Sequence, residues 1–188
     1  MARPQEFDTD AALDRAIDVF REHGFEGSSA QMLVDAMEIG RQSLYATFGD
    51  KWQLYCSSVR RYGMGECAAH FDALRGGARA VQGIKAMLRR VVKTADQACL
   101  GVSSISEFGA SRPDLADINA RFAKSMRNAL ADRVRDAQNE GDIAADLAPD
   151  MTAEFLIANI AAIRVAGRGG ADHATLSGLA DMALRALR

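Results

Sequence analysis

The sequence predicts an all-α protein, and three observations support this fold class. Apolar residues make up 48% of the 188 residues, while aromatic residues make up only 6%. Alanine, leucine, methionine and arginine, which favour helices, recur along the whole chain. No segment alternates apolar and polar residues with the period of two that marks a half-buried strand. A chain of this length can bury a sizeable core, as one domain or as two small ones.

The first helix is predicted to begin at Thr9 or Asp10 and to end at Gly24. Its apolar residues recur at helical spacing and define an inner face: Leu13, Ala16, Ile17 and Phe20.

A second and a third short helix follow in the segment SSAQMLVDAMEIGRQSLYATFGDK, residues 28–51. Ser28 is predicted to cap the second helix, with Gln31 completing a capping box. A tight turn is expected at Glu38 to Gly40. The third helix would bury Leu44 and Phe48, which are four residues apart. This arrangement is typical of a helix-turn-helix DNA reader.

The outward residues of the third helix have side chains that suit DNA. Arginine forms hydrogen bonds with guanine or phosphate, glutamine forms them with adenine, and hydroxyl groups form them with phosphate oxygens. We predict that Arg41 and Gln42 read bases, and that Ser29, Tyr45 and Lys51 mainly hold phosphates. The full predicted DNA-binding set is Ser29, Arg41, Gln42, Ser43, Tyr45, Thr47 and Lys51.

The charge of this region is unusual for a DNA reader. The first 51 residues contain five basic residues and ten acidic ones, and the whole chain has a net charge of −2. We therefore expect weak general affinity for nucleic acid, with local contacts made by two copies of the helix N-termini, Arg41 and Lys51.

Residues from Phe7 to Tyr55 resemble the N-terminal domain of the TetR (tetracycline-repressor-like) family of transcriptional regulators. The marks are REHGFEGSS, residues 21–29, and SLYATFGDK, residues 43–51. The resemblance implies a homodimeric repressor that binds a palindromic double-stranded operator and is released by a small-molecule effector, without a cofactor. The sequence departs from the family at Glu38, where glycine is usual; a left-handed residue other than glycine costs about 1 kcal/mol or more.

The remaining helices are predicted from caps and apolar stripes. Asp50 would cap a fourth helix that continues past Gly63 and Gly65. A fifth would carry one stripe from Val81 to Cys99, and a sixth would cover Val102 to Phe108. A seventh would open at Ser111 and Pro113 and end at Gly141. We divide the chain into a helix-turn-helix domain, residues 1–52, and a helical regulatory and dimerisation domain, residues 53–188.

The last two helices suggest a dimer. The helix opened by Pro149 is apolar on nearly every side from Phe155 to Ala166, and a final helix is expected over residues 172–187. A helix apolar on every side must be covered on every side. A second subunit is the favoured cover, and a central position in the core is the alternative. The predicted interface residues are Phe155, Asn159, Ile160, Ile163, Leu176, Leu179 and Met182.

Apolar residues of the second domain are candidates for an effector cavity, although the same pattern fits plain core. They are Tyr62, Phe71, Met87, Val91, Cys99, Phe108, Phe122 and Met126. Cys99 has two interpretations. Its place on an apolar stripe favours an inert core residue, whereas the resemblance implies a candidate sensor of oxidants or electrophiles, since a cysteine has this role in one branch of the TetR family.

Two other functional classes are considered. A small helical enzyme could use the cavity with Cys99 or Glu107 as its reactive group, but no paired base or catalytic motif is present. A protein-interaction module is disfavoured because the outward side of the third helix lacks large apolar anchors. We expect no catalytic residues.

The sequence predicts a cytoplasmic protein. Arg3, Glu6, Asp8 and Asp10 stand where a signal peptide would need an apolar run, and no later segment is apolar for long enough to span a membrane. Three cysteines without metal-ligand spacing to the histidines favour reduced thiols and no metal site.

Overall fold

The computed structural model describes residues 7–188, and over that range the secondary structure is entirely α-helical, which confirms the predicted fold class. Arg3 and Glu6 lie outside the described residues. The helices are α1 (Thr9–Gly27), α2 (Ala30–Met37), α3 (Arg41–Phe48), α4 (Lys51–Leu74), α5 (Ala80–Lys93), α6 (Leu100–Phe108), α7 (Pro113–Asn139), α8 (Pro149–Arg168) and α9 (His173–Arg185).

These helices form two compact units, and each unit is built from two stretches of chain. The first comprises the chain up to Gly63 together with Cys99–Asn119, and the second comprises Met64–Ala98 together with Ala120–Arg188. The grouping differs from the predicted cut after residue 52, because α6 packs against α1 and thus belongs with the helix-turn-helix.

Helix α1 begins as predicted but ends later. The Asp8 carboxylate caps it by accepting hydrogen bonds from the backbone N–H groups of Asp10, at 2.9 Å, and Ala11, at 3.1 Å. Gly24 interrupts the helix with φ 68° and ψ −177°, and one further turn then leads to Gly27. The predicted stop at Gly24 is therefore a kink within α1.

The predicted cap of α2 is wrong by one residue. Ser29 is the N-cap, and its hydroxyl accepts a hydrogen bond from the Met32 N–H at 3.1 Å. Ser28 is fully buried at the end of α1, where its hydroxyl donates to the carbonyl of Gly24 at 2.5 Å. The predicted cap of α4 is confirmed, because the Asp50 carboxylate accepts from the Gln53 N–H at 2.8 Å.

The core of the second unit is formed by α5, α8 and α9 together with the parts of α4 and α7 that belong to it. Gly83 and Gly167 permit close helix packing. A Cβ on Gly83 would lie 2.0 Å from the carbonyl oxygen of Leu74, and one on Gly167 would lie 2.5 Å from that of Ala95. A side chain at Gly83 would push α5 away from the end of α4, and one at Gly167 would push α8 away from the connection after α5.

The predicted apolar stripe of α5 extends too far. The helix ends at Lys93, and a short connection separates it from Cys99, which is the N-cap of α6. Ala95 in this connection is buried, so the helical spacing of apolar residues continues past the end of α5. None of the helices between residues 7 and 188 is both long and apolar enough to cross a lipid bilayer.

Candidate nucleic-acid interface

Helix α3 presents the polar side predicted for a DNA reader. Leu44 is only 2% exposed and anchors the helix to the first unit. Arg41, Gln42 and Tyr45 are exposed, and Ser43 and Thr47 are half-buried. No side chain caps the N-terminus of α3 at Gly40. The first N–H groups of the helix are thus free of side-chain acceptors and suited to an anion such as a phosphate.

The turn before α3 is held by Arg15 of α1. Glu38 adopts the left-handed conformation, with φ 56° and ψ 38°, and is the one non-glycine residue with positive φ among residues 7–188. The Arg15 guanidinium donates to the carbonyl of Met37 at 3.0 Å and pairs with the Glu38 carboxylate at 3.2 Å. Arg15 of α1 therefore holds both Glu38, which adopts the unfavourable conformation, and Met37, which precedes it.

Ser29 and Lys51 flank α3 but already have partners. Ser29 is exposed, and its oxygen caps α2, which leaves its hydroxyl proton free to donate. Lys51 lies at the start of α4, with its ammonium 4.3 Å from the centre of the Phe25 ring. A cation held against an aromatic face costs less side-chain entropy when it meets a phosphate than a free lysine would.

An aromatic cluster (Phe20, Phe25, Trp52, Tyr55 and Phe108) lies behind this surface. Most of its ring pairs meet edge to face, with centroids 5.0 Å apart for Phe20 and Tyr55 and also for Trp52 and Phe108, whereas Trp52 and Tyr55 are tilted by 33°. Such contacts add about 0.5–1.5 kcal/mol per pair beyond the area they bury. The cluster joins α1 and α4 to α6.

Polar contacts reinforce this connection. The Glu107 carboxylate accepts hydrogen bonds from the backbone N–H groups of Phe25 and Glu26, each at 3.2 Å, directly after the kink at Gly24. The indole N–H of Trp52 donates to Asp114 at 2.5 Å, and the Arg112 guanidinium lies 3.5 Å from the centre of the Trp52 ring. The hydrogen bond from Trp52 lowers the pKa of Asp114.

These supporting residues were not identified from the sequence. Glu107 was considered as a reactive, cavity-lining or solvent-facing group, yet it accepts hydrogen bonds from backbone N–H groups, and Arg112 and Asp114 were not singled out. A weak signal exists, because a glycine that breaks a helix leaves free N–H groups that require an acceptor. The sequence does not indicate, however, that the acceptor is Glu107, which is more than 80 residues away along the chain.

Acidic residues around α1 are partly neutralised within the first unit. Arg61 of α4 forms two hydrogen bonds with the Asp14 carboxylate, at 2.5 and 2.7 Å, and pairs with Asp10 at 3.1 Å. The hydrogen bond from Arg61 lowers the pKa of Asp14. This explains how a unit rich in acids can offer a less repulsive surface to DNA than its net charge suggests.

The eight candidate effector residues are divided between the units. Phe71, Met87, Val91, Phe122 and Met126 belong to the core of the second unit. Tyr62, Cys99 and Phe108 belong to the first. Met87 and Val91 are fully buried, whereas Phe108 packs in the aromatic cluster.

The three cysteines have different environments. Cys56 and Cys67 are buried, and burial raises the pKa of each thiol, to about 11 for Cys56. Cys99 is half-buried at the N-cap of α6. Within residues 7–188, no group of three or more His, Cys, Asp and Glu side chains is placed to hold a metal ion.

The predicted dimer residues fall into two groups. Phe155, Leu179 and Met182 are exposed by 41%, 37% and 61%, and Asn159 and Ile160 are half-buried. Ile163 and Leu176 are buried in the core of their own chain, which corrects their assignment to an interface. Met151 and Val165, missed in the prediction, are exposed by 68% and 59%.

Comparison with known proteins gives a consistent result for both parts of the chain. Residues 12–56 match the family model of bacterial regulatory proteins of the tetR family. Residues 77–177 match the model of the tetracyclin repressor-like C-terminal domain.

Two curated relatives show substantial identity. The HTH-type transcriptional repressor ComR of Escherichia coli (strain K12) is 31% identical over 97% of this chain and 90% of its own. The uncharacterized HTH-type transcriptional regulator YezE of Bacillus subtilis (strain 168) is 34% identical over 76% of each chain.

Solved structures agree with these relatives. A cysteine variant of the TetR family transcriptional regulator CifR, in complex with a 26-base-pair double-stranded operator DNA, matches with a TM-score of 0.85 and 29% identity over 100% of both chains. Reduced NemR of Escherichia coli shares the fold, with a TM-score of 0.83 and 16% identity over 93% of each chain. Because both family models match in order and ComR is 31% identical over nearly the whole chain, this chain belongs to the TetR family and is a DNA-binding transcriptional regulator.

Proposed function

We propose that this protein is a repressor that binds a palindromic operator as a homodimer and is released by a small-molecule effector. The observation that carries the proposal is the exposed side of α3, where Arg41, Gln42 and Tyr45 surround the buried anchor Leu44. The relative ComR is named a repressor, and the neighbour CifR was solved on operator DNA.

The base-reading step is assigned to Arg41 and Gln42. Both lie in the first turn of α3, which in helix-turn-helix proteins enters the major groove N-terminus first. Their planar guanidinium and amide groups can each form two hydrogen bonds with one base edge. Ser29, Ser43, Tyr45, Thr47 and Lys51 are assigned to phosphates, which position the reader without selecting a sequence.

A dimer is proposed through a stripe of exposed apolar residues on α8, together with Leu179 and Met182 of α9. The stripe consists of Met151, Phe155, Ala158, Ala162 and Val165, all exposed. Their spacing of four and three residues is the heptad spacing of helices that pack lengthwise. A two-fold pairing of this stripe with its own copy would cover it and give the symmetry that a palindrome requires.

The experiment that tests the function measures fluorescence anisotropy with DNA from upstream of the protein's own coding region. We expect binding to this DNA and weaker binding to a scrambled duplex. Gln42→Ala should change the preferred base at one position of each half-site, at a cost of about 1–3 kcal/mol for the parent sequence. Lys51→Ala should weaken binding to both duplexes equally and reduce the salt dependence.

Arg60→Ala is the matched control for Lys51→Ala, because Arg60 is an exposed cation of the same helix that has no assigned DNA contact. A uniform loss for Gln42→Ala, without any change in base preference, would contradict its role as a reader. Adding an effector should weaken operator binding, and operator DNA should weaken effector binding by the same factor.

A further inference from the structure

A groove in the second unit runs between α5 and α9 and has a cavity volume of about 300 Å³. Its apolar lining includes Val81 and Leu88 of α5 and Ala180 and Leu184 of α9. Leu88 is fully buried, and Ala180 is 5% exposed, so the base of the groove is part of the core. The volume lies at the small end of the range for small-molecule sites, about 300–1,000 Å³.

Four cations line the same groove: Lys85 and Arg89 on α5, and Arg185 and Arg188 at the end of the chain. In the part of the chain that the structure describes, none of the four forms an ion pair, although acidic residues outnumber basic ones overall. Arg185 has only a long contact, 4.0 Å, with the sulfur of Met182. Most other arginines of the second unit have a carboxylate partner, so this cluster is distinctive.

Two carboxylates also line the groove but do not neutralise it. Asp142 accepts a hydrogen bond from Arg79 at 2.7 Å and is thereby engaged outside the cluster. Asp181 has no ion pair among the described residues. The lining side chains thus carry four positive and two negative charges, an excess of two positive charges in a chain whose net charge is −2.

We propose that this groove binds a small organic anion that has a carboxylate or sulfonate group and a short apolar body. The apolar body would lie against Leu88, Ala180 and Leu184, where it loses contact with water. The anionic group would accept charge-assisted hydrogen bonds from the arginines. The inference goes beyond the proposed function, because it assigns a site and a ligand chemistry that the proposed function leaves open, and it does not require that this anion releases the operator.

The test is isothermal titration calorimetry of the DNA-free full chain with octanoate, and with octan-1-ol as an uncharged analogue of the same length. We expect octanoate to bind with one site per chain and at least about tenfold more tightly than the alcohol, which corresponds to about 1.4 kcal/mol. Raising the salt concentration should weaken octanoate binding, because the cations are near the surface.

Two variants with the same charge change locate the site. Arg89→Glu with Arg185→Glu should weaken octanoate binding about tenfold or more. Arg121→Glu with Lys124→Glu, at exposed positions of α7 outside the groove, should leave it within about twofold of the parent. Leu184→Trp, which fills the groove, should abolish binding.

Three results would overturn the proposal: no octanoate binding at millimolar concentration, equal binding of the alcohol, or an equal loss in the two double variants. Circular dichroism of each variant shows whether it is folded. Since the arginine variants alter only surface residues, the proposal remains testable if Leu184→Trp does not fold. Failure here leaves operator binding unaffected and thus separable from the proposed repressor function.

Discussion

Glu38 shows how a single unfavourable residue is accommodated. The turn between α2 and α3 requires a left-handed conformation, which glycine adopts without strain. Here a glutamate occupies it with φ 56°, and its carboxylate gains a partner in Arg15. The pair is largely exposed, with side-chain exposures of 44% and 72%, so it offsets only part of the strain. The hydrogen bond from Arg15 to the Met37 carbonyl provides further support.

The strain at Glu38 predicts the outcome of two substitutions. Glu38→Val should lower the free energy of unfolding by about 1–2 kcal/mol relative to Glu38→Gly, because a β-branched residue is especially unfavourable at positive φ. Both variants lose the ion pair with Arg15, so the difference between their free energies of unfolding reports the backbone strain at this position. Urea denaturation measures it, and equal stability of the two proteins would show that the turn carries no strain.

The helix caps show where prediction from the sequence reaches its limit. Two adjacent serines precede α2, and either could cap it; the choice of Ser28 was wrong because the burial that places it against Gly24 depends on the extra turn of α1. By contrast, the cap at Asp50 was predicted correctly, since only one suitable residue precedes α4. The left-handed conformation of Glu38 was expected only from the resemblance to the TetR family, which usually places glycine at this position.

An ionic cluster (Glu66, His70, Arg90 and Arg164) connects α4, α5 and α8 within the second unit; His70 and Arg164 are buried, and Glu66 and Arg90 are half-buried. The Glu66 carboxylate accepts hydrogen bonds from Arg90 at 2.6 and 3.2 Å and from Arg164 at 2.8 Å. Arg164 is only 5% exposed and also donates to the carbonyl of Thr94 at 3.0 Å. Arg164, which lies in the apolar helix α8, therefore has both a carboxylate and a carbonyl partner, as a buried charge requires.

His70 makes this cluster sensitive to acid. Burial, together with the nearby charge of Arg90, lowers the pKa of His70 to about 4, and its Nδ1 has no hydrogen-bond partner. Burial alone would raise the pKa of Glu66, but the hydrogen bond from Arg90 and the charges of Arg164 and Arg90 lower it overall. The folded protein thus keeps His70 neutral and Glu66 charged.

The protonation of His70 gives a prediction about pH. Because its pKa is lower in the folded state, the unfolded chain takes up the proton first as the pH falls. The contribution of neutral His70 to the free energy of unfolding is complete above about pH 6.5. It is lost as the pH falls towards about 4, and this lowers the free energy of unfolding by up to about 1.4 kcal/mol per pH unit. Urea denaturation at about pH 7 and about pH 5 should show a smaller decrease for His70→Gln than for the parent. An identical decrease would mean that His70 is protonated in the folded state.

The starts of α7, α8 and α9 followed from the sequence, because a proline or a cap marks each of them. Pro113 and Pro149 begin α7 and α8 as expected, and Asp172 caps α9 by accepting from the Thr175 N–H at 2.8 Å. The end of α5 was missed because apolar spacing persists beyond Lys93 without a breaker. The contacts of Glu107 and the groove between α5 and α9 depend on tertiary packing, which helical periodicity does not reveal.

The exposed apolar stripe on α8 belongs to a single subunit, and the proposed dimer would cover it. We expect Val165→Lys combined with Met182→Lys to yield folded monomers, because both side chains are exposed in one chain and would become buried near their symmetry copies. Light scattering coupled to size exclusion measures the mass. Operator binding should decrease together with dimer formation.

Met64→Lys is the control for the dimer variants, since Met64 is 56% exposed on α4 and lies outside the stripe. It should leave the mass unchanged. The core residue Ile163 is unsuitable for this purpose, because Ile163→Asp would bury a charge within the subunit and unfold it. A parent protein that is monomeric in solution would refute both the dimer and its binding to a palindromic operator.

The division of the chain into interleaved stretches has a consequence for its synthesis. The unit that carries α3 is closed by Cys99–Asn119, which supply Glu107, Phe108 and Asp114. A nascent chain leaves the ribosome from its N-terminus, and domains generally fold as they emerge. The DNA-reading unit therefore stays incomplete until the chain has been translated past Asn119, and a fragment that stops after α4 would expose the rings of Phe25 and Trp52 to water.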